Sequence, residues 1–367
     1  MTAAALPATV LTQLARHVSL EEIPPTEDLL SSDELAEWLA ARAEAPLDLL
    51  VGGDVMLSGR AKPLLEAHGP RYPFASVAPL LRRSAVVLAN LEGPLASRAA
   101  KRSSDRQFSY RVAPLAADAL AEAGIRLLTL ANNHLMDCGP EGVRETLDIL
   151  KSADIMVVGA GIDEAAAHEP AVLKTPNGTL GVLGYYWNRR CAATATRAGG
   201  AMDDIASLER DIPALRRRVD FLVVTEHWGV PYDRGPSEAE RQRARRAIDL
   251  GADAVVAHHP HVIQPCEIYR GRPIFYSIGN FAFGSGNSKA EGLLVGFRCA
   301  PAGLDVEVYP LYVKNRDPRI NYQPKLLRGP SARRVVRRLF DGSNRAGSRF
   351  TSDGPRAVLR LARNPPR

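Results

Sequence analysis

Eight short apolar runs, separated by stretches with helical periodicity, constrain the fold of this 367-residue chain more than any other feature of its sequence. The runs are rich in Val, Leu and Ile and lack the polar alternation of a half-exposed strand, which is typical of strands covered on both faces. They occupy residues 47–51, 85–89, 126–131, 156–158, 179–183, 221–225, 253–257 and 274–277. This repetition of strand and helix predicts an α/β fold with several layers and right-handed crossovers.

Start signals support the helices between these runs. Ser31 and Glu34 form a capping-box pattern before apolar residues at helical spacing. Ser237 and Glu240 form a second such pattern. A further helix is predicted to begin near Pro140, because proline is favoured in the first turn of a helix.

The chain divides into three segments by pattern and composition. Residues 1–45 are predicted to be an N-terminal helical addition, residues 46–327 the main domain and residues 328–367 an Arg-rich C-terminal tail. Within the domain, the apolar runs at residues 293–298 and 304–313 predict an antiparallel hairpin that closes it.

The net charge of +6 is concentrated in the tail. Residues 328–367 hold 11 Arg and two Asp, whereas the rest of the chain has 36 basic and 39 acidic residues. Such a tail can bind nucleic acid, an anionic polymer or a membrane surface, although a poorly ordered, solvated end is the favoured interpretation. Because no aromatic stacking platform or DNA-binding motif accompanies the arginines, we expect no specific nucleic-acid partner.

The sequence also predicts a soluble protein of the cytoplasm. Residues 1–19 lack the charged start and unbroken apolar stretch of a secretory signal. No window approaches the ~18 apolar residues of a transmembrane segment. The four cysteines lie far apart with no CxxC pair, which favours reduced thiols over a disulfide framework.

Most of the apolar runs lead into a short polar or glycine-containing cluster. In open α/β sheets, ligands bind beyond the carboxyl ends of the strands, so we expect the clusters to converge on one site. Six clusters qualify, at residues 52–54, 90–93, 131–139, 226–229, 258–261 and 279–281. Three of their histidines, His227, His259 and His261, indicate a metal site assembled at the strand ends of one sheet.

The residue types in these clusters suit a divalent transition metal. Imidazole, carboxylate and amide oxygen match Zn, Mn, Fe or Ni, whereas Mg or Ca would favour an all-oxygen set. One or two ions are expected, and two ions roughly 3.5–4 Å apart can bind a phosphoryl oxygen and activate water. Histidines that are only hydrogen-bonded core residues are the alternative, but three of them beside Asp54 and Glu92 favour the metal site. Gly52 and Gly53 are predicted to let the backbone turn tightly beneath Asp54.

The motifs follow one another in a recognisable order. They are GDVML at residues 53–57, NLEG at 90–93, ANNH at 131–134, HWG at 227–229, HPHV at 259–262 and YSIGNF at 276–281. In this order they resemble the bacterial capsule-synthesis CapA family, which serves poly-γ-glutamate formation and is related to calcineurin-like metallophosphoesterases. The resemblance covers about residues 47–313. It implies a calcineurin-like, multilayer α/β fold of β-sheets flanked by helices.

The resemblance also implies roles for seven residues. The residues that match metal ligands are Asp54, Glu92, Asn133, His227, His259 and His261. Glu92 stands at the position of a bridging carboxylate, and His134 matches a phosphate-contacting or proton-donating histidine. By its residue type alone, His134 could instead be a ligand or an orienting hydrogen-bond donor.

Several positions depart from the metallophosphoesterase pattern. Met56 stands where the first motif usually has a histidine, and Glu92 replaces an aspartate. His258 replaces the glycine before the His-x-His pair, and Val230 and Pro231 stand where many family members have an acidic residue. The missing histidine predicts that one ion is held more weakly than the other.

Two polar residues near the predicted site each have two interpretations. Asp137 could orient His134, although capping the helix that begins near residue 140 is favoured. Asn280 could cap a turn or belong to the site, with neither interpretation favoured.

These observations lead to two hypotheses about function. The first is a metal-dependent hydrolase that acts on a phosphoester or related anhydride, with His134 protonating the leaving oxygen. The alternative is a non-catalytic accessory or binding protein for an anionic polymer such as poly-γ-glutamate. Both predict an anionic small molecule or polymer as the partner.

Overall fold

The computed structural model describes residues 23–97, 109–285, 291–300, 303–340 and 351–362. The strands are β1 (Leu47–Met56), β2 (Ser84–Leu91), β3 (Leu127–Thr129), β4 (Met156–Val158), β5 (Ala160–Gly161), β6 (Ala171–Thr175), β7 (Gly178–Tyr186), β8 (Gly199–Gly200), β9 (Phe221–His227), β10 (Ala254–His258), β11 (Cys266–Tyr269), β12 (Arg272–Phe275), β13 (Asn280–Phe283), β14 (Glu291–Ala300), β15 (Gly303–Tyr312), β16 (Lys325–Leu326), β17 (Thr351–Asp353) and β18 (Arg356–Ala362). The helices are α1 (Ser32–Ala40), α2 (Ala61–His68), α3 (Ala78–Leu81), α4 (Ala116–Glu122), α5 (Gly139–Ser152), α6 (Glu164–Ala167), α7 (Ile205–Arg216), α8 (Glu238–Leu250) and α9 (Gly329–Phe340).

Most of the strands belong to two sheets. The ten-stranded sheet has the order β17-β18-β15-β14-β1-β2-β3-β4, with β13 beside the end of β1 and β16 beside β15. The six-stranded sheet has the order β11-β12-β10-β9-β7-β6. Strands β1 to β4 run parallel to one another, as do β7, β9, β10 and β12. Each sheet therefore contains a block of neighbouring parallel strands whose carboxyl ends point in one direction.

Apolar side chains divide into three core layers. Along β1, Leu49 and Val51 belong to the layer between the two sheets, whereas Leu50 belongs to the layer under the helices. Helices α2, α4 and α5 cover the outer face of the ten-stranded sheet, and α7 and α8 cover that of the six-stranded sheet. Burial on both faces explains why the apolar runs are unbroken. The order helix, sheet, sheet, helix confirms the predicted multilayer α/β fold.

Each of the eight predicted runs overlaps a strand, but β1 is longer than its run and ends at Met56. The prediction of a tight turn at Gly52 and Gly53 is wrong, because both residues lie within β1. A Cβ atom on Gly53 would collide with the carbonyl oxygen of Gly279. The backbone nitrogen of Asp54 donates to the same oxygen at 3.1 Å. The glycine thus permits close approach of a second backbone.

The predicted helix starts agree with the structure. Ser31 and Glu34 form a complete capping box at α1, as do Ser237 and Glu240 at α8. Helix α5 begins at Gly139 and has a proline in its first turn. Leu35 of α1 is fully buried in the core of the main domain. Residues 1–22 of the predicted N-terminal addition lie outside the described residues.

The predicted hairpin of β14 and β15 forms, but inside the ten-stranded sheet and not at its edge. Strand β14 pairs with β1, and β15 pairs with β18 from the Arg-rich segment. A poorly ordered, solvated end is therefore the wrong interpretation for residues 351–362, and residue 328 marks no break in the sheet. Residues 341–350 and 363–367 lie outside the described residues.

The physical reason for this difference is an apolar alternation that the arginines obscure. Ala357, Leu359 and Leu361 are buried at every second position of β18, whereas Arg360 between them is exposed. Period-two burial is what a strand with one covered face requires. A count of charged residues over the segment does not reveal this alternation.

Within the part of the chain that the structure describes, no helix has the length and apolar character that crossing a membrane requires.

Candidate metal centre

The polar clusters meet where strand ends of the two sheets come together. Asp54 and Glu92 come from β1 and from the residue after β2 in the ten-stranded sheet, and His227 and His259 come from the ends of β9 and β10 in the six-stranded sheet. The three predicted histidines do follow neighbouring strands of one sheet, but the carboxylates come from the other sheet, so the site as a whole spans both. Unbroken apolar runs show that strands are covered, but they do not show which strands pair.

Two buried amides, Asn90 and Asn132, connect the elements of the ten-stranded sheet. Asn90 Nδ2 donates to Asp54 Oδ1 at 2.8 Å, and Asn132 Nδ2 donates to Asn90 Oδ1 at 3.1 Å. Asn132 Oδ1 accepts from the backbone nitrogen of His134 at 3.0 Å. The sequence pattern by itself indicates no separate role for either asparagine. Their position inside the polar clusters is the signal that points to them.

Glu92 is the most unusual group of the centre. Its side chain is fully buried, and neither carboxylate oxygen has a hydrogen-bond partner among the described residues. Ligand atoms of Glu92, His259 and His261 lie within 4.8 Å of one another, and we call these three residues the Glu92 cluster. His261 Nε2 is 3.6 Å from Glu92 Oε1, which is too long for a hydrogen bond. In the described part of the chain, His259 Nδ1 is also buried without a hydrogen-bond partner.

His261 is held by two oxygen atoms on its other side. Its Nδ1 is 3.1 Å from Asp54 Oδ2 and 2.9 Å from Asn280 Oδ1. With Nδ1 so occupied, Nε2 is turned toward Glu92. Asn280, which has two interpretations from sequence, therefore belongs to the site as an orienting residue.

Burial and charge set the protonation of this cluster. Burial raises the pKa of Glu92 well above its ordinary value. Burial lowers the pKa of His259 to about 4, so its ring is neutral at neutral pH, the form that binds metal ions. Burial also acts to lower the pKa of His261, but the charges of Glu92 and Asp54 outweigh it and raise that pKa to about 9. The two carboxylates thus require positive charge nearby.

His227 and Asn133 form a second pair of predicted ligands. His227 Nε2 is 2.9 Å from Asn133 Oδ1, and its Nδ1 is 3.3 Å from Asn90 Nδ2. The ring centroids of His227 and His259 are 4.6 Å apart, which connects this pair to the Glu92 cluster. Burial, followed by positive charge on His259, holds the pKa of His227 well below its ordinary value.

His134 is oriented by Asp137. Its Nδ1 is 2.6 Å from Asp137 Oδ2, and its Nε2 is 3.8 Å from Glu92 Oε1. The favoured helix-cap interpretation of Asp137 is wrong, because Cys138 is the N-cap residue of α5. The same Asp137 oxygen accepts from the backbone nitrogen of Tyr110 at 2.6 Å, so these contacts direct the carboxylate to His134.

His258 lies behind Asp54. It is fully buried, and neither ring nitrogen has a hydrogen-bond partner within the described residues. Its Nδ1 is 3.6 Å from Asp54 Oδ1, beyond hydrogen-bonding distance. Burial lowers the pKa of His258, so a neutral ring stands next to this carboxylate.

The donor set of the centre fits a divalent transition ion. The structure brings all seven predicted site residues together, namely Asp54, Glu92, Asn133, His134, His227, His259 and His261. Buried polar atoms are nearly always satisfied in folded proteins, so the unpartnered oxygens of Glu92 are consistent with a cation ligand. Carboxylate, amide and imidazole together match Zn, Mn, Fe or Ni.

The sequence profile of one protein family, described as the bacterial capsule synthesis protein PGA_cap, matches residues 48–285. The chain belongs to this family. The matched region begins in β1 and ends just after β13, so it contains every residue of the centre. The resemblance to bacterial capsule-synthesis proteins is thereby confirmed.

Individual relatives agree with the family assignment. The chain is 31% identical over 271 residues to the PGA biosynthesis protein CapA of Bacillus subtilis (strain 168), covering 72% of this chain and 71% of the relative. It is 31% identical over 234 residues to a probable polyglutamine synthesis accessory protein of Mycobacterium tuberculosis (strain CDC 1551 / Oshkosh), covering 57% and 59% of the two chains.

The similarity to solved structures is weaker than the similarity to these sequence relatives. A crystal structure described as a novel phosphatase from Mycoplasma pneumoniae has a TM-score of 0.43 and 12% identity, covering 85% of this chain and 94% of that one. At this score the likeness does not bear on function.

In this member of the capsule-synthesis family, Met56 leaves the Asp54 side of the centre without a histidine. The buried Met56 sulfur accepts a hydrogen bond from Ser58 Oγ at 2.6 Å. A thioether is a soft ligand that suits copper(I) better than the ions that prefer carboxylate and imidazole. The Asp54 side therefore has one suitable nitrogen ligand fewer than the common pattern.

A cavity of about 620 Å³ lies apart from the centre and shares no residue with it. Its lining includes His168 and Asp211. His168 Nδ1 is 2.8 Å from Asp211 Oδ2, and His168 Nε2 accepts from the backbone nitrogen of Met202 at 3.3 Å. Both ring nitrogens of this histidine are therefore engaged within the protein.

Proposed function

We propose that this chain is a metal-dependent hydrolase acting on a phosphoester or a related anhydride bond. The observation that carries the proposal is the Glu92 cluster, where a buried carboxylate without hydrogen-bond partners lies beside two imidazoles. An unpaired buried carboxylate is unfavourable, and a bound cation offsets that cost. Proteins retain such local instability mainly where function needs it.

The candidate ligands fall into two groups that share Glu92. The groups are Asp54 with His261, and Asn133 with His227 and His259. Divalent ions bound there would supply Lewis acidity toward a phosphoryl oxygen and activate water. Because Met56 offers no imidazole, we expect the ion of the Asp54 group to be held more weakly.

His134 is the chain's own candidate for proton transfer. Asp137 binds its Nδ1, which fixes the ring and leaves Nε2 facing the Glu92 cluster. An ordered imidazole in this position can donate a proton to the leaving oxygen. The carboxylate behind it holds the ring in a fixed orientation for that transfer.

Elemental analysis of protein purified without chelator tests the metal site. The same sample is then screened with phosphodiesters and phosphomonoesters in the presence of added Mn, Zn or Ni. We expect stoichiometric metal and turnover in the wild-type protein. His259→Ala should lose metal, whereas His134→Gln should keep metal and lose turnover by about 10²–10⁴-fold.

His168→Gln is the matched control, because it alters a buried histidine outside the centre. It should retain both metal and turnover. Wild-type protein with bound metal but no hydrolysis of any ester would contradict the hydrolase proposal. Wild-type protein without metal under all these conditions would contradict the metal centre as well.

A second candidate function is a non-catalytic accessory or binding protein for an anionic polymer such as poly-γ-glutamate. Two observations favour it: the accessory role named for the Mycobacterium tuberculosis relative, and the missing nitrogen ligand at Met56. In this case the centre would hold an ion and polymer carboxylates without turnover.

Deleting the Arg-rich segment would not test polymer binding cleanly, because β18 belongs to the ten-stranded sheet. Helix α9 instead exposes Arg333 and Arg337 one turn apart. The double variant Arg333→Glu/Arg337→Glu should weaken binding to poly-γ-glutamate at moderate salt. Arg217→Glu/Arg218→Glu makes the same charge change at two exposed positions elsewhere and should not. Equal binding by both variants would remove α9 from the proposal.

A cytoplasmic location and a link to capsule metabolism complete the proposal. No disulfide joins the four cysteines, all of which lie within the described residues, and this supports a reducing compartment. The family description and the name of the Bacillus subtilis relative support the capsule link. Fractionation of cells that express the full chain tests the location, and recovery outside the cytoplasmic fraction would contradict it.

A further inference from the structure

Two tyrosines flank the Glu92 cluster, and no role has been assigned to either. The first, Tyr110, packs on the candidate proton donor, with ring centroids of Tyr110 and His134 4.2 Å apart. Its backbone nitrogen donates to Asp137 Oδ2 at 2.6 Å, and the same oxygen is 2.6 Å from His134 Nδ1. One carboxylate therefore fixes the position of both rings.

The second tyrosine, Tyr232, lies beside a candidate ligand, with its ring centroid 6.2 Å from that of His261. Its backbone has a φ of 70°, a left-handed conformation that is rare for a bulky residue. The backbone nitrogen of Tyr232 donates to Pro260 O at 2.7 Å, which ties this loop to the segment between His259 and His261. His259 and His261 also have positive φ, at 98° and 55°.

Backbone strain of this kind persists only where surrounding contacts enforce it, and it is concentrated at functional sites. Here it places an aromatic ring that is 44% exposed at the opening of a buried polar cluster. A ring with this exposure contributes little to the core. The strained backbone of Tyr232 is therefore better explained by contact between its phenol and a ligand bound at the cluster.

The charge of Glu92 affects the pKa of both phenols. Burial, and then the charge of Glu92, raises the pKa of both Tyr110 and Tyr232. Tyr232 also raises the pKa of Tyr110, which is consistent with two hydroxyls that lie near each other. Both groups are therefore protonated donors at neutral pH.

A neutral donor has a specific advantage beside Glu92. A lysine or arginine at these positions would form an ion pair with the carboxylate and compete with a metal ion. A phenol can donate a hydrogen bond to an anionic oxygen of a ligand while leaving Glu92 available. Two phenols beside the cluster can bind two oxygens of one group.

We propose that Tyr110 and Tyr232 bind the oxygen atoms of the substrate's phosphoryl group and hold it against the Glu92 cluster. This inference rests on the proposed hydrolase function and names the group that the centre recognises. It makes both tyrosines substrate-binding residues and gives them no part in holding metal.

Inorganic phosphate is the probe for this proposal, titrated calorimetrically into metal-loaded full-length protein. Tyr110→Phe and Tyr232→Phe should each weaken phosphate binding about tenfold to a hundredfold, as expected for loss of a hydrogen bond to a charged group. Metal content should be unchanged in both variants. The same experiment on His259→Ala reports loss of metal, so the two effects are separable.

Tyr322→Phe is the matched control, because Tyr322 also has a left-handed backbone, with a φ of 66°, and its phenol lies near Arg60 and Arg316. It should bind phosphate as the wild-type protein does. Phosphate affinity within about twofold of wild type in either test variant would overturn the proposal, as would a metal-loaded wild-type protein that does not bind phosphate. If phosphate binds through the tyrosines but no ester is hydrolysed, the hydrolase proposal alone fails.

Discussion

Buried carboxylates lie at both ends of β2, but their surroundings differ. Before the strand, Arg83 binds Glu307 of β15, with 2.6 Å from Nη1 to Oε2 and 3.1 Å from Nη2 to Oε1. Tyr309 and Arg356 contact the same carboxylate, so both of its oxygens have donors. After the strand, Glu92 is equally buried, yet neither of its oxygens has a hydrogen-bond partner among the described residues.

This difference separates a structural cluster from a candidate functional one. At Glu307, burial acts to raise the pKa, but Arg83 outweighs it and lowers the pKa below its ordinary value. At Glu92, burial prevails and the pKa rises. A carboxylate whose oxygens have donors within the chain stabilises the fold, whereas one that lacks such donors can bind a cation from outside.

The largest expected effect is a loss of stability at the structural cluster around Glu307. Glu307→Ala leaves two buried guanidinium groups, those of Arg83 and Arg356, without their shared carboxylate. Loss of one partner from a buried ion pair lowers the free energy of unfolding by about 3–5 kcal/mol. Urea unfolding measures this loss, and metal content should not change.

The control for that variant is Glu209→Ala, which removes an exposed carboxylate paired with Arg246. Exposed pairs contribute about 1 kcal/mol or less, so its stability should stay near that of wild type. Equal stability of the Glu307→Ala and Glu209→Ala variants would mean that the buried network is not structural.

A smaller effect of opposite sign is expected at the candidate centre. Glu92→Gln removes a buried carboxylate without hydrogen-bond partners, so the metal-free protein should gain about 1–3 kcal/mol in free energy of unfolding. The same variant should lose most of its metal affinity. Unfolding in the presence of chelator measures the first effect and elemental analysis the second. A destabilised metal-free variant would show that Glu92 is structural.

The smallest effect is a change of stability with pH at Glu307. Its pKa is lowered from 4.5 in the folded protein, so below about that pH the unfolded chain binds more protons than the native one. Glu307 therefore contributes its full stabilisation above pH 4.5. The free energy of unfolding falls as the pH drops from there through the lower pKa of the folded protein. Urea unfolding across this acidic range measures the fall.

Glu307→Gln should flatten the pH profile in that range, because glutamine does not titrate. The groups that face Glu307 are the side chains of three arginines, Tyr309 and the neighbouring Glu44. The arginines are Arg83, Arg298 and Arg356, and they stay charged throughout. A profile of unchanged slope would assign the acid sensitivity to other carboxylates.

Many residues of this site can be predicted from the sequence, because they stand directly after the apolar runs that form the strands. The eight apolar runs locate the strands, and each polar cluster follows its strand directly, so His227 and His259 could be predicted without coordinates. Asp137 was assigned to the wrong partner, because a carboxylate just before a helix has the same pattern whether it caps that helix or contacts a nearby histidine. The role of Asn132 also depends on contacts that local spacing does not contain.

The sequence by itself determined the alternation of strands and helices, the family and the polar groups at each strand end, since all of these depend on local order along the chain. Only the tertiary structure decided that the carboxylates and imidazoles come from different sheets and that β18 extends the ten-stranded sheet. It also decided that Glu92 is buried with no hydrogen-bond partner among the residues that the structure describes. The reason is physical: strand pairing and desolvation arise from contacts between residues far apart in sequence.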